Sequence, residues 1–254
     1  GTTCAQAISV VISLCMIIRQ RKEFSLSRED FRLSHNIMGH ILKIGIPIAL
    51  QDGFIQVAFM IITIIANQRG LNDAAAVGIV EKIISFLFLI PSSMLSTVSA
   101  LGAQNIGAGK RQRANETLRY AVMITVGFGI IVGIFMQFFA SLVVALFTDA
   151  SDASGAEVVR LGGQYLRGYV WDCMFAGIHF SFSGYFCACG KSGISFLHNI
   201  IAITLVRIPG VYLTSTLFPD TLFPMGLATA AGSLLSAIIC VVAFTILNGK
   251  ERQK

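Results

Sequence analysis

Seven apolar runs, separated by short polar or charged interruptions, take up most of the chain: Thr2–Ile18, Ile41–Ala66, Ala74–Ala103, Leu118–Phe147, Gly162–Cys189, Ile194–Phe218 and Pro224–Leu247. An α-helix needs ~20 residues to cross the hydrocarbon core of a bilayer. Six of the runs exceed that length and the first is just long enough. Backbone amides in lipid must be satisfied within their own segment, so each run predicts a transmembrane helix. The short connections predict antiparallel neighbours, and Pro91 predicts a kink in the third run. After the first run comes a longer stretch of mixed charge, "RQRKEFSLSREDFRLSH". It divides the chain into a partial last helix of a preceding lobe (1–18), a cytoplasmic inter-lobe linker (19–40), a six-helix lobe (41–247) and a cytoplasmic tail (248–254). The fold class is therefore an all-α integral membrane protein. The chain opens inside an apolar run, with neither an initiator Met nor a basic leader, and reads as a piece of something longer.

Composition agrees with this reading. Only 13% of residues are charged, 55% are apolar, and the mean hydropathy is +0.76. A soluble domain carries about 25% charged residues. The net charge of +6 raises the question of a nucleic-acid partner, and position answers it. Of the 19 Lys and Arg, 14 fall between Arg19 and Lys43, between Lys110 and Arg119, at Lys191, and between Lys250 and Lys254. If every apolar run crosses the bilayer, those segments share one side, and cations collect on the cytoplasmic side. The opposite connection "TDASDASGAE" is acidic. The charge thus reports topology, with no nucleic acid implied and the C-terminus in the cytoplasm of a cell (plasma or inner) membrane.

Polar residues at membrane depth are costly and mark candidate functional sites. At 100° per residue, Asp52, Gln56, Thr63 and Asn67 fall within about 60° on the helix that starts near Ile41. Glu81, Ser85, Ser92, Ser96 and Ser99 form a second stripe, and Tyr165, Asp172, His179 and Ser183 a third. Thr229, Ser233, Ser236 and Cys240 form a fourth. Stripes that contain carboxylates point to a shared aqueous cleft, whereas the serine-rich stripe serves helix packing equally well. Arg207 cannot lose its charge and needs an anion. Asp172 lies at comparable depth on the preceding antiparallel helix, as a structural partner or as one that opens during transport. Glu81 and Lys82 are adjacent and point apart. Arg167 is expected to snorkel to the outer interface. His179 is either a proton relay or a hydrogen-bonded bundle histidine, and His198, off the stripe, reads as incidental.

Two glycine-rich turns, "GAQNIGAGKRQRA" from Gly102 and "GYFCACGKSG" from Gly184, have the texture of phosphate-binding loops. Neither matches the required G-x-x-x-x-G-K-[ST]. Ala108 occupies the lysine position of the first, and Tyr185 stands where the second needs its opening glycine. Helix-terminating turns are the better reading. All six Cys lie inside apolar runs without zinc-type spacing, as packing residues. No Ser/His/Asp set, HExxH or paired-carboxylate motif appears in a connection, so an enzyme is not expected, nor is a resident metal or cofactor.

In order along the chain, "LKIGIPIALQ" (Leu42–Gln51), "AVGIVEKIISFLFLIPSSM…GAQNIGAGKRQRA" (Ala76–Ala114), "YLRGYVWD" (Tyr165–Asp172) and "LVRIPGVYL" (Leu205–Leu213) resemble the multidrug and toxic compound extrusion (MATE) transporters. The resemblance covers the C-terminal half of such a transporter. It implies two six-helix lobes, the N-terminal one missing here, rocking about a cleft. Entry of Na+ or H+ would drive extrusion of amphipathic, often cationic compounds across a bacterial membrane. The candidate residues for a substrate- or cation-binding cleft are Gln51, Asp52, Gln56, Asn67, Glu81, Ser85, Asp172, His179 and Arg207. Two positions depart from one family branch. Where that branch carries a glutamate counted from Pro47, this chain has Ile55, with Asp52 one turn earlier and Gln56 adjacent. The branch's second acid, counted back from Gly190-Lys191, falls near Ile178–His179. A lipid-linked saccharide flippase of the same superfamily is the alternative reading, and it calls for a more cationic cleft.

Overall fold

The computed structural model describes residues 2–19, 34–148 and 152–252, and every described element is helical. The helices are α1 (Thr2–Arg19), α2 (His35–Arg69), α3 (Leu71–Leu87), α4 (Leu89–Gly107), α5 (Arg111–Ala145), α6 (Ala153–Tyr169), α7 (Asp172–Ala188), α8 (Ser192–Ala202), α9 (Ile208–Leu217) and α10 (Phe223–Arg252). A π-helical turn, Ile203–Arg207, joins α8 to α9. The chain divides into two units, Gly1–Ile41 and Leu42–Lys254. In the first, α1 presents exposed Ile8, Val10, Val11, Ile12 and Leu14. Of the linker expected over 19–40, residues 20–33 lie outside the described residues, as do 149–151 of the acidic connection and 253–254 of the tail.

Among the described residues, five helical stretches are long and apolar enough to cross a membrane: His35–Arg69, Leu71–Gly107, Arg111–Ala145, Ser192–Leu217 and Phe223–Leu247. The expected crossing at Gly162–Cys189 is carried instead by α6 and α7, each 17 residues long, with a turn at Val170–Trp171 between them. The third run is interrupted at Phe88, three residues ahead of Pro91, whose ring cannot follow a regular turn. Pro47 lies inside α2 and leaves the Lys43 carbonyl without its usual amide, and the Ser192 hydroxyl donates to that carbonyl at 3.3 Å.

The lobe is built around α7, which packs most extensively on α4 and also on α5, α10 and α8. Lipid supplies no hydrophobic drive between helices, so close backbone approach takes its place. At Gly184 a Cβ would come within 2.5 Å of the Leu95 carbonyl oxygen, so only glycine lets α4 and α7 touch there. Two apolar clusters flank the middle of α7. One includes Tyr169, Val170 and Cys173; the other includes Phe182, Tyr185 and Phe186. Apolar side chains such as Ile131, Phe138 and Leu142 of α5 remain on the outside, as a bilayer-facing surface requires.

Both glycine-rich turns are helix C-caps. Gly109 and Gly190 take φ of +73° and +70°, a backbone region that glycine enters without strain. The Lys110 and Lys191 amides then donate to the Asn105 and Phe186 carbonyls at 2.8 Å each, while the Gly109 and Gly190 amides donate to Ile106 and Cys187. These amides close the helix ends and are not turned toward a phosphate.

Candidate functional site

The break ahead of α7 puts Asp172 at the first residue of that helix, where a carboxylate also meets the favourable end of the helix dipole. The π-turn aims Arg207 back at it, and Arg207 Nη2 lies 2.6 Å from Asp172 Oδ2. The same Nη2 donates to Ser233 Oγ at 3.1 Å, and Nε donates to the Thr229 carbonyl. Asp172 is fully buried and Arg207 is 7% exposed. Burial of this kind is tolerated only when each charge has its partner. Gly232 of α10 faces the stem of Arg207, where a Cβ would lie 2.8 Å from the arginine Cβ.

Arg207 forms one wall of a pocket of about 50 Å³ between α2, α7, α8, the π-turn and α10. Its polar lining comprises Arg207, His179, Asn199, Ser233 and Ser236, while Ile55 and Phe59 close the α2 side. His179 Nδ1 is buried without a hydrogen-bond partner. His198 is fully buried and ties three helices together. Its Nε2 lies 2.9 Å from Ser183 Oγ on α7, and its Nδ1 lies 2.6 Å from Ser236 Oγ on α10. A neutral imidazole offers one donor and one acceptor, so one serine donates to it and the other accepts. The expectation that His198 is incidental is thus corrected.

The structure brings together His179, Arg207 and, behind the guanidinium, Asp172. Asp52, Gln56, Asn67 and Ser85 lie on exposed helix faces and do not line this pocket. The α2 wall is formed by Ile55 and Phe59, which lie about 100° and 60° around the helix from Gln56 and about 60° and 20° from Asp52. Gln51 is fully buried and neither amide atom has a hydrogen-bond partner. Glu81 is half-buried and takes the Thr63 hydroxyl at 3.3 and 3.4 Å, while Lys82 is exposed, so the two do point apart. Arg167 is half-buried, and its side chain runs toward α5. Its Nη2 donates to Ser141 Oγ on α5 at 3.4 Å, and its Nε is buried.

Arg69, which the sequence did not single out, holds another junction. Its guanidinium donates to Asp73 Oδ1 and to the carbonyls of Ser215, Phe218, Pro219 and Thr221, tying the end of α2 to the turn after α9. Five contacts from one side chain use the whole guanidinium fork.

Comparison with known proteins completes the picture. The "Probable multidrug resistance protein YpnP" of Bacillus subtilis (strain 168) is 26% identical over 220 residues, which cover 85% of this chain and 47% of that protein. A MATE crystal structure in complex with MaL6 superposes with a TM-score of 0.86 at 18% identity, over 96% of this chain and 55% of the other. A MOP superfamily transporter from Pyrococcus furiosus superposes with a TM-score of 0.82 at 19% identity, over 93% and 53%. At such identities the superpositions establish the fold, and the chain spans about half the length of the relatives it matches. The MatE family model matches residues 47–213, a span that runs from the proline of α2 through the ion pair to α9, and the chain belongs to that family.

Proposed function

We propose that this chain is chiefly the second lobe of a multidrug efflux antiporter, not an enzyme. In this reading amphipathic, often cationic compounds leave the cell against entry of Na+ or H+, as two six-helix lobes rock about a cleft. The family match across residues 47–213 carries the reading. The exposed stripe of Asp52, Gln56 and Asn67, with Glu81 and Ser85 beside it, would face the cleft from this side. The buried Asp172–Arg207 pair would hold the lobe's interior. The wider superfamily shares the fold, and a fold does not decide between efflux and flipping. The multidrug resistance name of the curated relative above favours efflux over a lipid-linked saccharide. The lobe would lie in a bacterial cell membrane with its basic connections and C-terminus in the cytoplasm.

The test is dye efflux from a pump-deficient strain expressing the transporter of which this chain forms the second lobe, in Na+-free and pH-clamped media. Efflux above the empty-vector level, abolished by collapse of one ion gradient, is expected. Efflux unchanged after Asp52→Asn, Glu81→Gln and Asp172→Asn, singly and combined, would remove these residues from the mechanism. Vectorial transport by the 254-residue chain alone in liposomes would remove the two-lobe reading.

A further inference from the structure

Along one face of α7, Asp172, His179, Ser183 and Cys187 follow at intervals of seven, four and four residues. Each is buried, and each but Asp172 and His179, which meet at Arg207 and the pocket, has a polar neighbour on α8. Asp172 holds Arg207, Arg207 and His179 line the pocket, and so does Ser236. From Ser236 the His198 ring leads on to Ser183. Apolar packing requires none of these groups. A buried ring nitrogen without a partner is destabilising, and water removes that cost if the site has room for it. At roughly 10–15 Å³ per water, a pocket of about 50 Å³ has room for about three to five.

We infer that this pocket is a hydrated proton-binding site, with Nδ1 of His179 as acceptor and Ser236–His198–Ser183 as the relay leading from it. The transfer balances with one hydronium ion as the source of the proton. A hydronium ion at the Ser183 end gives its proton to the Ser183 hydroxyl, which gives its own to Nε2 of His198, and water is left behind. Nδ1–H of His198 passes to the Ser236 oxygen, Ser236 gives its own proton to pocket water, and that water protonates His179. His198 is left in the other tautomer, which is restored by return of the proton along the same path or by reorientation of the ring and the two hydroxyls. One proton has moved, and the charge resides on His179.

The lining favours a proton over a metal cation. The Asp172 carboxylate lies behind the guanidinium, bound to it through Oδ2 and with Oδ1 buried without a partner, and it does not line the pocket, so a dehydrated metal ion there would meet Arg207 first. A proton needs one lone pair, which His179 has. The groups that set the charge here can be named element by element. Asp172, His179 and Cys187 lie on α7, His198 on α8 and Arg207 on the π-turn; Tyr165 and Tyr169 of α6 stand by the ion pair, with Glu81 of α3 beyond. From α10 come the hydroxyls of Thr229, Ser233 and Ser236 and the Cys240 thiol, and α5 presents Thr125 opposite Gly177. The α2 wall is Ile55 and Phe59, and α4 carries no ionisable side chain. With Asp172 and Arg207 cancelling, the pocket starts neutral and has one position for an added charge.

This names the coupling ion of the antiport proposed above and rests on that reading for its purpose, but its test does not require transport. The protein carrying ¹⁵N-labelled histidine, in lipid nanodiscs, is titrated between about pH 4 and 8 by NMR. His179→Asn and His198→Gln assign the two buried rings. The expected result is that the His179 and His198 nitrogens move together with one midpoint, and that Ser236→Ala separates the two titrations. His198→Gln keeps a donor and an acceptor in place but cannot relay, and should abolish pH-driven efflux. Nitrogens of both rings that stay constant over this range in a folded protein would overturn the inference. Titrations that remain joined in Ser236→Ala would overturn the relay. Absence of efflux in the wild type with coupled titration intact would count against the antiport and leave the proton site standing.

Discussion

Arg207 Nη2 stands 2.6 Å from Asp172 Oδ2 in a buried pair, and α10 offers the guanidinium the Ser233 hydroxyl and the Thr229 carbonyl as further acceptors. Removing one member of a buried pair leaves the other charge uncompensated, at a cost of about 3–5 kcal/mol, whereas removing both charges together is far less damaging. Arg207→Met is therefore expected to lower the thermal unfolding midpoint in detergent sharply. Arg207→Met combined with Asp172→Asn should recover most of the loss. A single variant no less stable than the double would show that Asp172 has another partner.

Gly184 sets the distance between α4 and α7. A methyl group there meets the Leu95 carbonyl at 2.5 Å, and a backbone atom cannot swing aside as a side chain can. Gly184→Ala should destabilise the lobe by roughly 1–3 kcal/mol through overpacking. Gly193, in the first turn of α8 with nothing within 4 Å of an added Cβ, is the control. Its change to Ala should be neutral or slightly stabilising, because alanine loses less backbone entropy in a helix. Equal midpoints for the two variants would mean that α4 and α7 can move apart freely.

Much of this arrangement is legible in the sequence, and the exceptions have identifiable causes. Asp172 and His179 follow from 100° spacing along α7, and the Asp172–Arg207 pair follows from matching depth on antiparallel helices. The two glycine turns follow from their composition. His198 was missed because nine residues separate it from Arg207, which places the two on opposite faces of a regular α-helix. The π-turn over Ile203–Arg207 absorbs one residue and turns the later face by about 100°, so both side chains point inward. Nothing in "ITLVR" announces that turn. Likewise no Pro or Gly marks the Val170–Trp171 break, so Gly162–Cys189 reads as one helix. The exposed faces of Asp52 and Gln56 show a different limit. Periodicity states which residues share a face, but neighbouring helices decide which face turns inward, and on α2 that face belongs to Gln51, Ala58, Ile62, Ile65 and Ala66.

Gly190 carries a conformational requirement and no packing one, since a Cβ there would find nothing within 4 Å. Its φ of +70° costs an L-residue about 1–2 kcal/mol. Gly190→Ala should lower stability by that amount, and Gly190→Asn by less, because asparagine enters this region more readily. Hydrogen exchange at the Lys191 amide, which donates to Phe186, would rise in the alanine variant. An alanine variant with unchanged exchange would mean that the turn adopts another backbone conformation at no cost.

Arg69 closes the opposite end of the lobe, and its role is separable from any transport step. The turn that follows α9 ends with carbonyls that no helix amide can reach, and the guanidinium meets those of Ser215, Phe218, Pro219 and Thr221 while Asp73 holds its Nε. Lysine keeps the charge but offers a compact ammonium with no planar fork, so Arg69→Lys should recover only part of the function of the clamp. Arg69→Gln should cost about 2–4 kcal/mol, since hydrogen bonds to a charged donor contribute more than neutral ones and several carbonyls lose their partner together. The loss should be local. Amides from Ser215 to Leu222 are expected to exchange faster, and a protease should cut there first, while the interior of α7 keeps its protection. Global unfolding without faster exchange in this turn would assign Arg69 to the core instead, and intact protection in Arg69→Gln would show that Asp73 and the turn hold together without it.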